Sequence, residues 1–156
     1  KNLTLGQIEK AIKLTKKAGI RTIGFTMIGH PKETIQTIKD TIKFCKRLAL
    51  DDFKMVYLTP YPATPLYKEV EKYGTLNNDW RKMNAYTEPC FVPYGLTKED
   101  LIKYRKLAYR QFYLRPKIIF SYLLQIRSPA QLVVLFKGGL SLLNLLFKKP
   151  NLANNA

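Results

Sequence analysis

The chain is 156 residues long and 46% hydrophobic, which excludes a disordered chain and allows one domain with a sizeable core. Its net charge of +16 is uneven: residues 1–100 hold 17 Lys/Arg against 11 Asp/Glu, and residues 101–156 hold 10 Lys/Arg and no acid. Two cysteines, Cys45 and Cys90, form no CxxC or CxxxCxxC pattern and fall short of the four ligands of a structural zinc site, so no metal site, no disulfide and a reducing cytoplasm are expected.

The first residue is Lys1, and no signal-peptide pattern follows it, which fits a processed product or a piece of a longer protein. Residues 5–18 predict a helix: Leu5, Ile8, Ala11, Ile12 and Leu14 form an apolar face, Thr4 caps the start and Gly19 ends it. IRTIGFTMIG (20–29) is β-branched and apolar and predicts a buried strand. Pro31 then suits a first helical turn, and Ile35, Ile38, Ile42, Cys45 and Leu48 follow at helical spacing, predicting a helix over 31–48 with Cys45 as a core thiol. DFKMVYL (52–58) predicts a second strand with Phe53, Met55 and Tyr57 on one face.

TPYPATPLY (59–67) is proline-rich and predicts a stiff irregular loop, followed by a short helix at 65–73 that Gly74 ends. Residues 75–96 predict irregular chain anchored to the core by Trp80, Tyr86, Phe91 and Tyr94. Thr97 with Asp100 three residues on is a capping signature that opens a helix reaching about Leu114, before Pro116. Apolar segments at 118–126 and 130–147 close the chain, and NLANNA (151–156) reads as frayed.

Helix, strand, helix, strand with short connections is the pattern of parallel α/β structure. Ligands in such folds gather at the carboxyl ends of strands, here Gly29–His30 and Thr59–Tyr61. Two parallel strands do not make a stable sheet alone, because an edge and a face stay uncovered. Residues 1–93 therefore predict part of an α/β sheet or barrel, 94–149 a basic helical extension, and 150–156 a disordered tail.

Each chemical motif has a plain alternative. The turn at Gly29 either lets the chain leave the sheet, or brings the backbone at 28–30 and the positive end of the next helix to a ligand. Glu33 reads as a helix cap rather than a base, and Asp51–Asp52 as solvated residues at the opposite strand end. His30 is the only histidine, a proton-transfer group by position but without an identifiable partner, and no catalytic residue is assigned.

The segment AQLVVLFKGGLSLLNLLF (130–147) is 18 residues with Lys137 and Gly138–Gly139 inside it. A spanning helix wants about 20 apolar residues, and a central lysine costs roughly 3 kcal/mol, so crossing is disfavoured. Two readings stay open: an interfacial helix with Lys137, Lys148 and Lys149 reaching anionic head groups, or a helix packed on absent protein. The aromatic and basic run YRKLAYRQFYLRPK (104–117) fits core contacts better than nucleic acid, which is disfavoured as a partner.

AGIRTIGFTMIGHPKETIQTIKDTIKFCKRL, YLTPYPATPLYKEV, DWRKMNAYTEPCFVPYGLTKEDL and YRQFYLRP together resemble the C-terminal half of radical S-adenosylmethionine enzymes. The likeness is to the branch with an N-terminal cobalamin-binding domain, which includes anaerobic cyclases and methyltransferases, and it runs from about residue 4 to 120. It implies a partial (β/α)6 barrel of TIM type, of which residues 1–93 supply about two parallel strands with their helices. It implies that Ile28 and Gly29, with Thr26 on the same strand face, line the adenosyl part of S-adenosylmethionine, and that Thr59 and Pro60 border the same pocket.

Lys32 stands where relatives commonly have the second glycine of GxPGET, and Ala63 where they have the glycine of PYPGTPLY. Both bear on whether a left-handed backbone is kept there. The CxxxCxxC loop that holds a 4Fe-4S cluster, which delivers the electron that cleaves S-adenosylmethionine, is absent from this chain. The resemblance thus implies a fragment that closes the barrel and lines the cofactor pocket, inactive alone, with cluster and cobalamin in the full-length parent. Its expected partners are the missing N-terminal half of the barrel and a small-molecule or lipid-like substrate, in the cytoplasm or peripheral at a membrane. A basic membrane-surface module without catalysis is the alternative.

Overall fold

The computed structural model describes residues 3–124, 126 and 128–147. The readings made on Lys1, Lys148, Lys149 and the tail 150–156 lie outside the described residues. Among those described, the protein is α/β: six α-helices, a two-stranded parallel sheet and a two-stranded antiparallel ribbon.

Helix α1 (Leu5–Lys17) begins at Thr4, whose side chain and that of Gln7 cap each other's backbone, and it ends before Gly19 at φ 75°. Strand β1 (Ile23–Ile28) pairs in parallel with β2 (Asp52–Tyr57), from Ile23 opposite Asp52 to Ile28 opposite Tyr57. Helix α2 (Ile35–Arg47) joins them and buries Ile38, Ile42 and Cys45. It starts four residues later than the sequence predicts. Thr34 and Thr37 form the capping box, so Pro31 and Lys32 belong to a turn closed by the Glu33 N–H donating to the His30 carbonyl at 3.0 Å.

After β2 come α3 (Pro65–Lys68), a 3-10 turn at Val70–Lys72, and a small ribbon of β3 (Gly74–Leu76) and β4 (Phe91–Pro93). The one short helix predicted over 65–73 is split into these two turns, and the irregular chain predicted over 75–96 contains β4 and most of β3. Gly74 was read as a helix stop, but it is a ribbon residue: a Cβ there would lie 2.2 Å from the Val92 carbonyl oxygen. Phe91 is the buried anchor, with Leu58 and Val70, while Trp80, Tyr86 and Tyr94 are exposed. Helix α4 (Lys98–Tyr113) starts at the predicted Thr97–Asp100 box, α5 (Pro116–Leu123) begins on its proline, and α6 (Pro129–Phe147) follows.

One main core holds Ile28, Phe53, Met55 and Tyr57 from the sheet, Ile38, Ile42 and Cys45 from α2, and Leu101, Tyr104, Ala108 and Phe112 from α4. Phe53 stacks on Phe112 at 5.1 Å between centroids. No helix among the described residues is long and apolar enough to cross a membrane.

The two edges of the parallel sheet differ. On β2, α4 side chains take the outward backbone groups. The Tyr113 hydroxyl donates to the Phe53 carbonyl at 2.8 Å, the Met55 N–H donates to the Tyr109 hydroxyl at 3.2 Å, and Arg105 Nε donates to the Met55 carbonyl at 3.0 Å. The Tyr57 N–H finds the Ala85 carbonyl at 2.9 Å. That edge is sealed.

On β1, Asp52 and Leu58 donate to the carbonyls of Thr22 and Ile28, so even-numbered β1 residues bond to β2 and odd-numbered ones point the other way. Among the described residues β1 pairs with no strand but β2. The strand was predicted buried, yet only one face is covered: Ile23, Phe25 and Met27 are exposed, Phe25 by 66%.

Candidate functional site

The carboxyl ends of β1 and β2 lie side by side, as adjacent parallel strands require, with the Leu58 N–H donating to the Ile28 carbonyl at 2.8 Å. The chain leaves β1 at Gly29, whose φ of 94° no L side chain adopts readily. Space is not the constraint, since a Cβ there would meet nothing closer than Leu101 at 3.6 Å. Glu33 clamps the turn: its Oε2 accepts from the Gly29 N–H at 2.5 Å and the His30 N–H at 3.2 Å. The carboxylate therefore holds the two backbone donors that a ligand anion would otherwise meet, and α2 presents its own start to Thr34. Glu33 is a turn clamp and lies outside the helix, which corrects the reading of it as a first-turn cap.

Beyond β2, the chain turns through Thr59, Pro60 and Tyr61. Pro60 is fully buried, Tyr61 is half exposed, and the Thr59 hydroxyl donates to the Tyr57 carbonyl at 3.4 Å. Cys90 lies beside Thr59; burial raises its thiol pKa, and hydrogen bonds from Thr59 and the backbone oppose the rise. Two left-handed residues frame this rim, Lys32 at φ 62° and Ala63 at φ 67°. The backbone of a glycine turn is thus kept at both positions, although neither residue is glycine.

The five residues singled out from sequence fall into two groups. Gly29, Thr59 and Pro60 meet at the strand ends. Thr26 and Ile28 share a face with Gly24, and that face is opposite Met55 and Tyr57, against the helices. The Thr26 hydroxyl donates to the Lys54 carbonyl at 3.3 Å, and Ile28 is fully buried. The other face of the sheet carries Phe25, Met27, Lys54 and Val56, with the Lys54 ammonium 5.8 Å from the centre of the Phe25 ring. Sequence reasoning passed over this open face. The signal for it was the odd-numbered parity of β1, once Thr26 and Ile28 are assigned to the helix side.

At the other end of the strands, Asp51 and Asp52 are engaged rather than solvated. Asp51 pairs with Lys16 and accepts from the Thr22 N–H at 2.8 Å, and Asp52 accepts from the Tyr113 hydroxyl. A shallow depression between α1 and the end of α2, bordered by Glu9, Ile12, Arg47 and Leu48, lies away from the strand ends. His30 is exposed at the rim. Among the described residues no three His, Cys, Asp or Glu gather to hold a metal ion.

No family model matches the chain. Among curated proteins, an uncharacterized methyltransferase of Pyrococcus horikoshii is 36% identical over 126 residues, covering 78% of this chain and 26% of that protein. An anaerobic magnesium-protoporphyrin IX monomethyl ester cyclase of Cereibacter sphaeroides is 30% identical over 122 residues, 78% of this chain and 19% of its own length. A bacteriochlorophyllide d C-8(2)-methyltransferase of Chlorobaculum tepidum is 26% identical over 123 residues, 70% and 27% respectively. The chain spans 19–27% of the length of these relatives.

Proposed function

We propose that this chain, a relative of methyltransferases and of an ester cyclase, forms the closing strands of a partial (β/α)6 barrel in a radical S-adenosylmethionine enzyme of the cobalamin-dependent kind. One observation carries the reading: β2 is sealed by α4 along its outer edge, whereas β1 has an open edge and an exposed apolar face. Further parallel strands would join at β1, and Phe25, Met27, Lys54 and Val56 would then face the barrel interior.

In this reading the adenosyl group of S-adenosylmethionine lies on the rim of Ile28, Gly29, Thr59 and Pro60. Because Thr26 and Ile28 turn their side chains to the helices, β1 would offer backbone there, held in shape by Glu33. A 4Fe-4S cluster does not fit the residues of this chain. Its iron is held by cysteine thiolates, and Cys45 and Cys90 are both buried, with the Cys45 thiol pushed up to about 11 by burial. Cluster and cobalamin would belong to the remainder of a longer protein, the cluster supplying the electron for S-adenosylmethionine cleavage. The apolar open face suits a small-molecule or lipid-like substrate.

Iron–sulfide reconstitution tests the reading. The purified chain is expected to take up no stoichiometric 4Fe-4S cluster and to cleave no S-adenosylmethionine. The reading frame upstream of the Lys1 codon is expected to continue and to encode CxxxCxxC. A stoichiometric cluster on the chain alone, or a frame without that loop, overturns the proposal.

A further inference from the structure

We propose that α6 lies on an anionic lipid surface through an apolar stripe that faces solvent. At 100° per residue, Leu132, Phe136, Leu140, Leu143 and Phe147 fall within one narrow arc of the helix, and all five are 45–79% exposed. The half-buried Leu135, Leu142 and Leu145 turn to another side, and α6 packs against α4. Asn144 and Lys137 flank the stripe on one side, beyond the exposed Val133, and supply a polar edge there. On the preceding helix α5, Phe120, Leu123 and Leu124 are also exposed and apolar.

Three occupants compete for this stripe, and charge and topology decide between them. Additional barrel strands would join at β1, whereas α6 rests on α4, the helix that seals β2 at the opposite edge of the sheet. A second copy would bring together two helices that each carry Lys137, within segments that hold no acid over residues 101–156. Like charge opposes that pairing. An anionic membrane surface meets both properties: apolar side chains enter the head-group boundary while the basic residues meet lipid phosphate, and a lysine such as Lys137 reaches outward along its own alkyl stem.

The test is sedimentation of the whole chain with vesicles of phosphatidylcholine alone and of phosphatidylcholine mixed with phosphatidylglycerol. Binding is expected to the mixed vesicles only, to weaken as salt rises, to drop about fivefold with Lys137→Gln, and to vanish with Phe136→Asp plus Leu140→Asp. Both acidic substitutions sit at exposed positions, and circular dichroism checks that the fold is kept. Equal binding to neutral vesicles, or binding that survives the double substitution, overturns the proposal. Loss of binding with Phe25→Asp, which moves the lipid contact to β1, overturns it. So does a concentration-dependent dimer that Phe136→Asp dissolves, since the stripe then serves a second copy.

Discussion

Arg105 donates from Nε to the Met55 carbonyl at 3.0 Å, so a cation from α4 completes the outer edge of a strand that lies 50 residues earlier. The guanidinium is buried, and it stacks 4.6 Å from the Tyr57 ring centre and 5.6 Å from that of Tyr109. Arg105→Met removes a charge-assisted bond while keeping much of the packing. It should lower stability by about 2 kcal/mol, read as a lower urea midpoint at unchanged slope. Arg105→Lys should recover less than half of that loss, because an ammonium lacks the flat fork that both stacks and donates.

Lys32 and Ala63 hold left-handed backbone at φ 62° and 67°, a region that costs an L residue about 1–2 kcal/mol. Replacing either by glycine relieves that strain but loosens the unfolded chain, which takes back about half. Lys32→Gly and Ala63→Gly should each raise the urea midpoint, by the equivalent of about 0.5–1 kcal/mol. Gly29→Ala runs the other way and, with the same unfolded-chain offset, should cost about 0.5–1 kcal/mol, although there is room for the methyl group.

What the sequence displays well is what repeats along it. Helices α1, α2 and α4 announce themselves by 3.6-residue periodicity, and Thr4 and Thr97 mark two of the starts. The start of α2 misleads because Pro31 and Thr34 are both good initiators, and only the capping box of Thr34 with Thr37 closes. Strands β3 and β4 are three residues each, too short to show alternation, so Phe91 reads as a core anchor in irregular chain and Gly74 as a helix stop. At the candidate site, Gly29, Thr59 and Pro60 were legible as strand ends. The facing of Thr26 and Ile28 was not, because β1 is apolar on both sides. Only its register with β2 reveals which parity meets the helices.

Asp51 links α1 to the sheet, and acid should break that link. Burial alone would raise its carboxyl pKa, but the Lys16 ammonium and the Thr22 N–H and hydroxyl outweigh it and hold the group below the usual carboxylate value. A carboxylate whose folded pKa lies below its unfolded value of about 3.9 contributes stability above that pH and loses it as pH falls through the folded value. Asp51→Asn should therefore be less stable than the parent at pH 7. Its urea midpoint should approach the parent's as both are taken down to about pH 3. A difference that stays constant across that range would mean the side chain acts through shape rather than charge.

Phe25 and Phe53 are adjacent in the sheet, Phe25 opposite Lys54 and Phe53 opposite Gly24, but one faces solvent and the other the core. If β1 borders an unfilled face, losing the ring should matter far less at Phe25 than at Phe53. Phe53→Ala deletes a ring stacked on Phe112 and should cost about 3–5 kcal/mol. Phe25→Lys removes an exposed ring from an open strand edge. It should cost about 1 kcal/mol at most, because Lys54 opposite loses its ring partner and meets a like charge, while raising the concentration at which the chain stays monomeric in light scattering, since a charged side chain on an edge strand blocks strand-to-strand association. In a protein with further strands joined at β1, Phe25→Lys should cost several times more, because the cation would then point into a barrel. Comparing the substitution in the short chain and in an upstream-extended one separates a strand that natively borders water from one that natively borders another strand.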